Sequence, residues 1–329
     1  MLTYPDRLEL AQLPTPLQRL DRLSAKLGGP SIWVKRDDLT GCVESGNKLR
    51  KLEFVVADAL AQGADTLITT GGVQSNHCRA TAVVAARLGL ASHLVLRGQQ
   101  PEQATGNLML DELLGAELTY ITNQQYQDSI EDIFSFIAQR YIAQGRKPYC
   151  IPTGASNGVG TWGYIAACKE LKADFESAEI EPRHIVCATG SGGTQAGLSA
   201  GSYLYDLGAR VWGINVCDDA DYFAKKTRQD IQQWSERYYP QLDCAEVDIN
   251  TIDGYVGPGY GRATAEIFDT IKSVAKLEGL ILDPVYTGKA FHGFIQEHQS
   301  GRFGNDGDVV FIHTGGLFGL FAQTGMLTA

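Results

Sequence analysis

The chain has 329 residues, with 38 acidic against 28 basic side chains and a formal net charge of −10. Apolar residues make up 44% and charged residues 20%, which excludes a disordered chain, and the negative balance argues against nucleic acid or an anionic membrane as main partner. The length exceeds the roughly 250–300 residues at which single cores stop growing, so two lobes are expected.

In chain order, Leu49, Leu52, Val56 and Leu60 form a helical stripe beginning just after Ser45-Gly46-Asn47-Lys48. Residues 66–70 read as a buried strand, followed by a Gly-Gly turn and a helix over 76–88 with Ala80, Val83, Val84 and Leu88 on one face. Residues 93–96 form the next strand, 104–114 a helix, 118–121 a strand, 126–144 a long helix and 148–152 a strand. The rhythm then repeats: strand 184–189, helix 194–205, strand 210–216, helix 263–277, the short apolar run 280–282, helix 289–297 and strand 308–313. Strands alternating with helices at this spacing predict α/β architecture with mostly parallel sheets and helices on both faces, because parallel strands need crossovers. With no long Pro/Ser linker, the lobes are expected to meet along a cleft.

The seven cysteines are odd in number, widely spaced and without a Cys-x-x-Cys pair. Most of them read as small buried hydrophobes in a reducing compartment. The six histidines show no metal-ligand spacing, so no metal is expected. No run of about 18 apolar residues occurs, and residues 1–6 lack the pattern of a signal peptide. A cytoplasmic protein is the expectation.

Glycine is enriched, at 37 residues. It gathers beside polar residues in four loops: Ser45-Gly46-Asn47-Lys48, Gly71-Gly72-Val73-Gln74-Ser75-Asn76-His77, Gly190-Ser191-Gly192-Gly193-Thr194 and Thr314-Gly315-Gly316. The third follows a strand and opens a helix, so converging backbone N–H groups and the helix dipole could cradle a phosphate. It is neither a Walker loop nor a GxGxxG fingerprint; alone, it reads equally as a tight turn without a ligand. Lys48 and Lys51 stand at i and i+3 at a helix start. They read either as solvated surface lysines or as a pair in which neighbouring positive charge lowers one pKa, as a Schiff-base nucleophile needs. One such lysine and one Gly-rich cup are the minimum for holding pyridoxal phosphate covalently.

The segments Lys35-Arg36-Asp37-Asp38, Gly46-Asn47-Lys48-Leu49-Arg50-Lys51, Gln74-Ser75-Asn76-His77, Gly192-Gly193-Thr194-Gln195-Ala196-Gly197, Pro258-Gly259-Tyr260-Gly261, Asp283-Pro284-Val285-Tyr286-Thr287-Gly288-Lys289 and His313-Thr314-Gly315-Gly316 resemble the D-cysteine desulfhydrase and 1-aminocyclopropane-1-carboxylate (ACC) deaminase family. The resemblance spans nearly the whole chain. It implies the two-domain tryptophan-synthase-β-like fold (fold type II) with pyridoxal 5'-phosphate in the cleft. Residues 1–47 and 158–329 would form the large cofactor-binding domain and 48–157 the small one, in a homodimer acting on a small amino acid.

By that resemblance Lys48 would carry the Schiff base and Lys51 would meet the phosphate, with Ser191, Gly192, Gly193 and Thr194 as the phosphate cup. Asn76 would reach the ring hydroxyl, while Ser75, Asn76 and His77 receive the substrate carboxylate. Ser75 or the freed Lys48 would move the Cα proton, and Tyr260 and Tyr286 would line the reacting face. ACC deaminases carry Glu where Thr287 stands and Leu where Thr314 stands. A hydroxyl from Thr287 or Thr314 at the ring nitrogen suits β-elimination better than cyclopropane opening. The implied reaction is therefore elimination from D-cysteine to pyruvate, ammonia and hydrogen sulfide. The competing readings are an L-cysteate sulfo-lyase, an ACC deaminase and an inactive cofactor carrier or regulator. The chain departs from the family at Ser45, usually Gly, at Cys217-Asp218-Asp219, and at Leu317-Phe318-Gly319, where a smaller run is usual.

Overall fold

The computed structural model describes residues 2–305 and 307–323. The elements run β1 (Leu17–Arg19), α1 (Asp21–Leu27), β2 (Ser31–Lys35), α2 (Asn47–Ala61), β3 (Thr66–Gly72), α3 (Asn76–Leu88), β4 (Ala91–Arg97), α4 (Gly106–Leu113), β5 (Glu117–Ile121), α5 (Asn123–Ala143) and β6 (Pro148–Ile151). They continue with α6 (Trp162–Ala178), β7 (Pro182–Thr189), α7 (Gly193–Leu204), β8 (Arg210–Asn215), α8 (Ala220–Tyr238), β9 (Asn250–Ile252), α9 (Ala265–Glu278), α10 (Thr287–Gln299), β10 (Asp308–Ile312) and α11 (Leu317–Phe321).

Among the described residues two sheets form, a six-stranded one in the order β1-β2-β10-β7-β8-β9 and a four-stranded one in the order β5-β4-β3-β6. Every pairing is parallel except β1 on β2. All seven residues of β3 are buried, as a central parallel strand covered on both faces requires. Local signals set the helix limits: Ser75 caps α3, left-handed Gly89 ends it, and Thr122 with Gln125 forms a capping box for α5.

Between the sheets, α6 packs on both α2 and α7. There Trp162, wholly buried, meets Trp234 edge-on at 5.2 Å. The alternation expected from the sequence is present. Beyond it stand β1, α1, β2, α6, α8, β9 and α11, while Leu280 and Leu282 are buried without joining a strand. The expectation that most cysteines are buried holds for four of the seven. Cys78, Cys168, Cys187 and Cys217 are buried, but Cys42 and Cys150 are exposed on loop and edge-strand positions. Among the described residues no helix is long and apolar enough to cross a membrane.

Candidate active site

A cavity of about 620 Å³ lies where the C-terminal ends of β3, β4 and β7 and the segment after β10 converge, the place where parallel α/β sheets bind ligands. Ten of the residues expected from the sequence line it: Lys48, Ser75, Asn76, His77, Ser191, Gly192, Thr194, Tyr260, Tyr286 and Thr314. Lys51, Gly193 and Thr287 stand behind its wall.

Lys48 reaches the cavity because α2 starts hard against the loop after β10. The N–H of Asn47 donates to Thr314 O at 3.2 Å. A Cβ at Gly46, whose φ is +112°, would lie 2.8 Å from that carbonyl. Only glycine permits this approach. Burial brings the Lys48 ammonium down to about 8, against a smaller opposing pull from its hydrogen bond with Lys51. Lys51 is wholly buried and held well below the ordinary lysine range by burial and by Lys48. The two lysines read from the sequence as either surface cations or an interacting pair are therefore an interacting pair.

The cup is built from two segments. The Ser156 hydroxyl accepts from Gly193 N–H at 3.1 Å and donates to Ser191 Oγ at 2.9 Å, with Lys51 Nζ 3.5 Å behind it. Asn47 Nδ2 donates to Thr194 Oγ1 at 2.9 Å, tying α2 to α7. The helix cap is Gly192 at φ +85°, without a side-chain cap of its own. A Cβ at Gly154 would overlap Ser191 Oγ and sit 3.2 Å from Lys48 Nζ, so the space between lysine and cup exists only because residue 154 is glycine. Hydroxyls, backbone N–H groups and a helix N-terminus make a donor set for a phosphate, and a nucleophilic amine stands beside it. These residues fit pyridoxal phosphate.

On the opposite wall the Ser75 hydroxyl caps α3 by accepting from Cys78 N at 3.2 Å. Asn76 Oδ1 accepts from Asn107 Nδ2 at 3.0 Å. Thr69 donates its hydroxyl proton to Ile151 O and lies 2.8 Å from His77 Nε2, so Nε2 carries the proton. Burial, with Lys48 and Lys51 nearby, pushes the His77 pKa well down. The ring is neutral, and what His77 can offer a carboxylate is its backbone N–H at the helix start.

Tyr260 and Tyr286 meet hydroxyl to hydroxyl at 2.5 Å. Burial raises Tyr260 to about 12 and Tyr286 well above the usual phenol range, so both keep their protons at neutral pH. Thr287 is spent elsewhere: its hydroxyl donates to Asp283 Oδ1 at 2.7 Å and accepts from Asp283 N at 2.8 Å. Of the two threonines expected near a ring nitrogen, Thr314 alone lines the cavity.

Sequence reasoning missed Ser156, which joins the cup to Lys51, and Lys289, whose ammonium donates to Val256 O at 2.7 Å and Gly259 O at 2.8 Å. Lys289 thereby pins the loop carrying Tyr260. Arg97 and Tyr126 were also missed, although both line the cavity. A polar residue ending an apolar strand, as Arg97 does, was the available signal.

Residues 8–315 match the model of the family described as pyridoxal-phosphate dependent enzyme. An Arabidopsis thaliana protein named bifunctional D-cysteine desulfhydrase/1-aminocyclopropane-1-carboxylate deaminase, mitochondrial, is 41% identical over 97% of this chain and 80% of its own. A Klebsiella pneumoniae protein named D-cysteine desulfhydrase is 42% identical over 98% and 97%. The crystal structure of an ACC deaminase homologue superposes with a TM-score of 0.89 at 39% identity, covering 98% of this chain and 95% of that one.

Proposed function

The chain belongs to the family of pyridoxal-phosphate-dependent enzymes, and from that membership we propose that it is a carbon–sulfur lyase taking D-cysteine and water to pyruvate, ammonia and hydrogen sulfide. One observation carries the choice of reaction. The Asp283 carboxylate accepts from the N–H groups of Val285, Tyr286 and Thr287 and from the Thr287 hydroxyl. It is thereby closed off, and the Thr314 hydroxyl is what that wall presents. A hydroxyl keeps a pyridine nitrogen largely uncharged, which suffices when sulfide leaves but serves poorly for opening a cyclopropane.

The bound cofactor supplies a sink for the electron pair released at Cα. Lys48 would supply the amine that holds it, and Ser191, Gly192, Gly193, Thr194 and, through Ser156, Lys51 would hold its phosphate, with Asn76 serving the ring hydroxyl. The N-terminus of α3, at Ser75, Asn76 and His77, takes the substrate carboxylate. The amine of Lys48, once free, or the Ser75 hydroxyl removes the Cα proton. The paired hydroxyls of Tyr260 and Tyr286, protonated at neutral pH, stand ready to protonate the departing sulfur. We place the domain limits at 48–157 for the small domain and 1–47 with 158–329 for the large, in a cytoplasmic homodimer.

The experiment is pyruvate release from D-cysteine, L-cysteine, L-cysteate, β-chloro-D-alanine and ACC by the holoenzyme. D-Cysteine is expected to give the largest kcat/KM, with equimolar sulfide. Ready turnover of ACC with none of D-cysteine overturns the proposal in favour of deamination.

A further inference from the structure

Arg79 lies one turn along α3 from Asn76, wholly buried behind the cavity wall. Its guanidinium meets the approaches to three of the four glycine loops. Nη2 donates to Ser45 O at 2.5 Å, in the loop that brings in Lys48. Nη1 donates to Asn107 Oδ1 at 3.1 Å, and Asn107 in turn holds loop 74–76. The guanidinium carbon also lies 5.0 Å from the ring centre of Phe318, just after Thr314-Gly315-Gly316. Burial brings its pKa down to about 10, against an upward pull from Asp111 on α4, so it keeps its charge at neutral pH.

A guanidinium has donors and no acceptor. Only the oxygen of the Asn107 amide can face it, so Nδ2 points the other way, where it donates to Gln74 O at 2.9 Å and to Asn76 Oδ1 at 3.0 Å. The start of α4 is held in place. The Asn107 backbone N–H donates to Gln74 Oε1 at 2.9 Å, and Gln74 Nε2 donates to Thr105 O at 2.9 Å. A Cβ at Gly106, whose φ is +56°, would lie 2.7 Å from Gln74 Oε1 and 2.5 Å from Phe318 O. The Asn76 amide is thereby oriented as well. Its oxygen is taken, and Nδ2, which meets no acceptor among the described residues, is the end left for the cavity that Asn76 lines.

We propose that Arg79 and Asn107 are positioning residues that set the polarity of Asn76, so that the cavity offers the ring oxygen of pyridoxal phosphate an N–H donor and not a carbonyl. The inference rests on the proposed placing of Asn76 at that oxygen. A donor there favours the ionised oxygen, whereas an amide carbonyl in the same place would repel it. Arg79 acts at a distance, through two amides whose ends it fixes.

The test titrates the full-chain apoenzyme with pyridoxal 5'-phosphate and with 3-deoxypyridoxal 5'-phosphate, which lacks the ring oxygen, following the cofactor's absorbance. Asn107→Asp keeps the size of the side chain and its contact with Arg79 but can only accept, so the Asn76 amide turns its N–H toward it and its oxygen toward the cavity. Loss of the donor predicts pyridoxal-phosphate affinity poorer by about tenfold or more, with the deoxy analogue changed by less than about threefold. Asn107→Ala leaves the Asn76 amide free to turn and is expected to lose less, about threefold, again for pyridoxal phosphate alone. Arg79→Gln, which can show Asn107 a donor or an acceptor, should behave like Asn107→Ala, and Arg79→Lys, a pure donor, should recover part of the loss. A packing role alone predicts the reverse order, alanine worse than aspartate at position 107 with both cofactors losing alike, and that result overturns the proposal. Asn76→Ala separates the proposal from the reading beneath it. Equal losses for both cofactors in Asn76→Ala defeat the placing of Asn76 at the ring oxygen, and the proposal falls with it. A selective loss in Asn76→Ala with none in the Asn107 and Arg79 variants leaves Asn76 where it is placed and overturns the relay alone.

Discussion

Two helix N-termini face one cavity and are finished in different ways. At α3 the cap is local: Ser75 accepts from Cys78 N within the same turn. Asn107 braces the approach, donating to Gln74 O at 2.9 Å and to Asn76 Oδ1 at 3.0 Å. At α7 the cap is glycine, and the hydroxyl on Gly193 N–H is borrowed from Ser156, far away in sequence. A helix capped by its own serine has a side chain occupying the space before its first turn, leaving room for a small carboxylate beside it. A helix opened by glycines leaves backbone-lined space that a tetrahedral phosphate can fill. The same dipole thus serves two anions of different size, sorted by what stands at the cap.

The comparison breaks most sharply at Gly193. A Cβ there would lie 2.7 Å from Ser156 Oγ and 3.0 Å from Ser156 Cα, so Gly193→Ala must push the two halves of the cup apart. Misplacement on that scale costs up to about a hundredfold, and we expect a loss of that order in pyridoxal-phosphate affinity, measured by titrating the apoenzyme. Pyridoxal, which lacks the phosphate, should bind the variant as it binds the wild type. An equal loss for both would mean that α7 does not hold the phosphate.

The next effect concerns Lys48, which lines the cavity together with the cup. Its pKa near 8 means that the nucleophilic neutral form grows as pH rises and levels off above about 9, where an ordinary lysine would still be charged. Covalent capture of cofactor by the apoenzyme should therefore quicken by roughly tenfold from pH 7 to 9 and then plateau. Inorganic phosphate in the α7 cup, a negative charge nearby, should move the midpoint upward. A rate that keeps climbing past pH 10 would show that burial does not lower this lysine.

Much of this was legible in the sequence because the chemistry lies in short loops. Gly190-Ser191-Gly192-Gly193-Thr194 after a strand could be read as a cup, and Lys48 and Lys51 as a pair, from neighbours along the chain. What escaped came from long-range packing. Ser156 joins Lys51, Ser191 and Gly193 from a separate segment, and no local pattern announces it. Thr287 and Thr314 looked alike as hydroxyls until Asp283 was seen to absorb one of them. The edge strands β1 and β9, three residues each, are short and unpatterned because neighbouring strands, more than local periodicity, define them, and β2, set between β1 and β10, is only five residues long. Helix α8 has a strongly polar exposed side and buries Phe223, Ile231 and Trp234 on the other, a stripe the alternation of strands and helices gave no reason to seek.

The smallest effect separates the two duties of Ser75. As the cap of α3, its replacement by alanine should cost about 1 kcal/mol of stability, and by glycine only a few tenths, read as a larger drop in Tm for Ser75→Ala than for Ser75→Gly. Both variants lack the hydroxyl. If that hydroxyl moves the Cα proton, kcat for D-cysteine falls equally in the two, regardless of stability. If Ser75 serves only to shape the helix start, kcat follows the cap, and Ser75→Gly stays close to the wild type while Ser75→Ala falls. The second pattern would leave Lys48 as the sole base and make α3 a purely structural carboxylate site, sharpening its contrast with α7, whose open end exists to be filled.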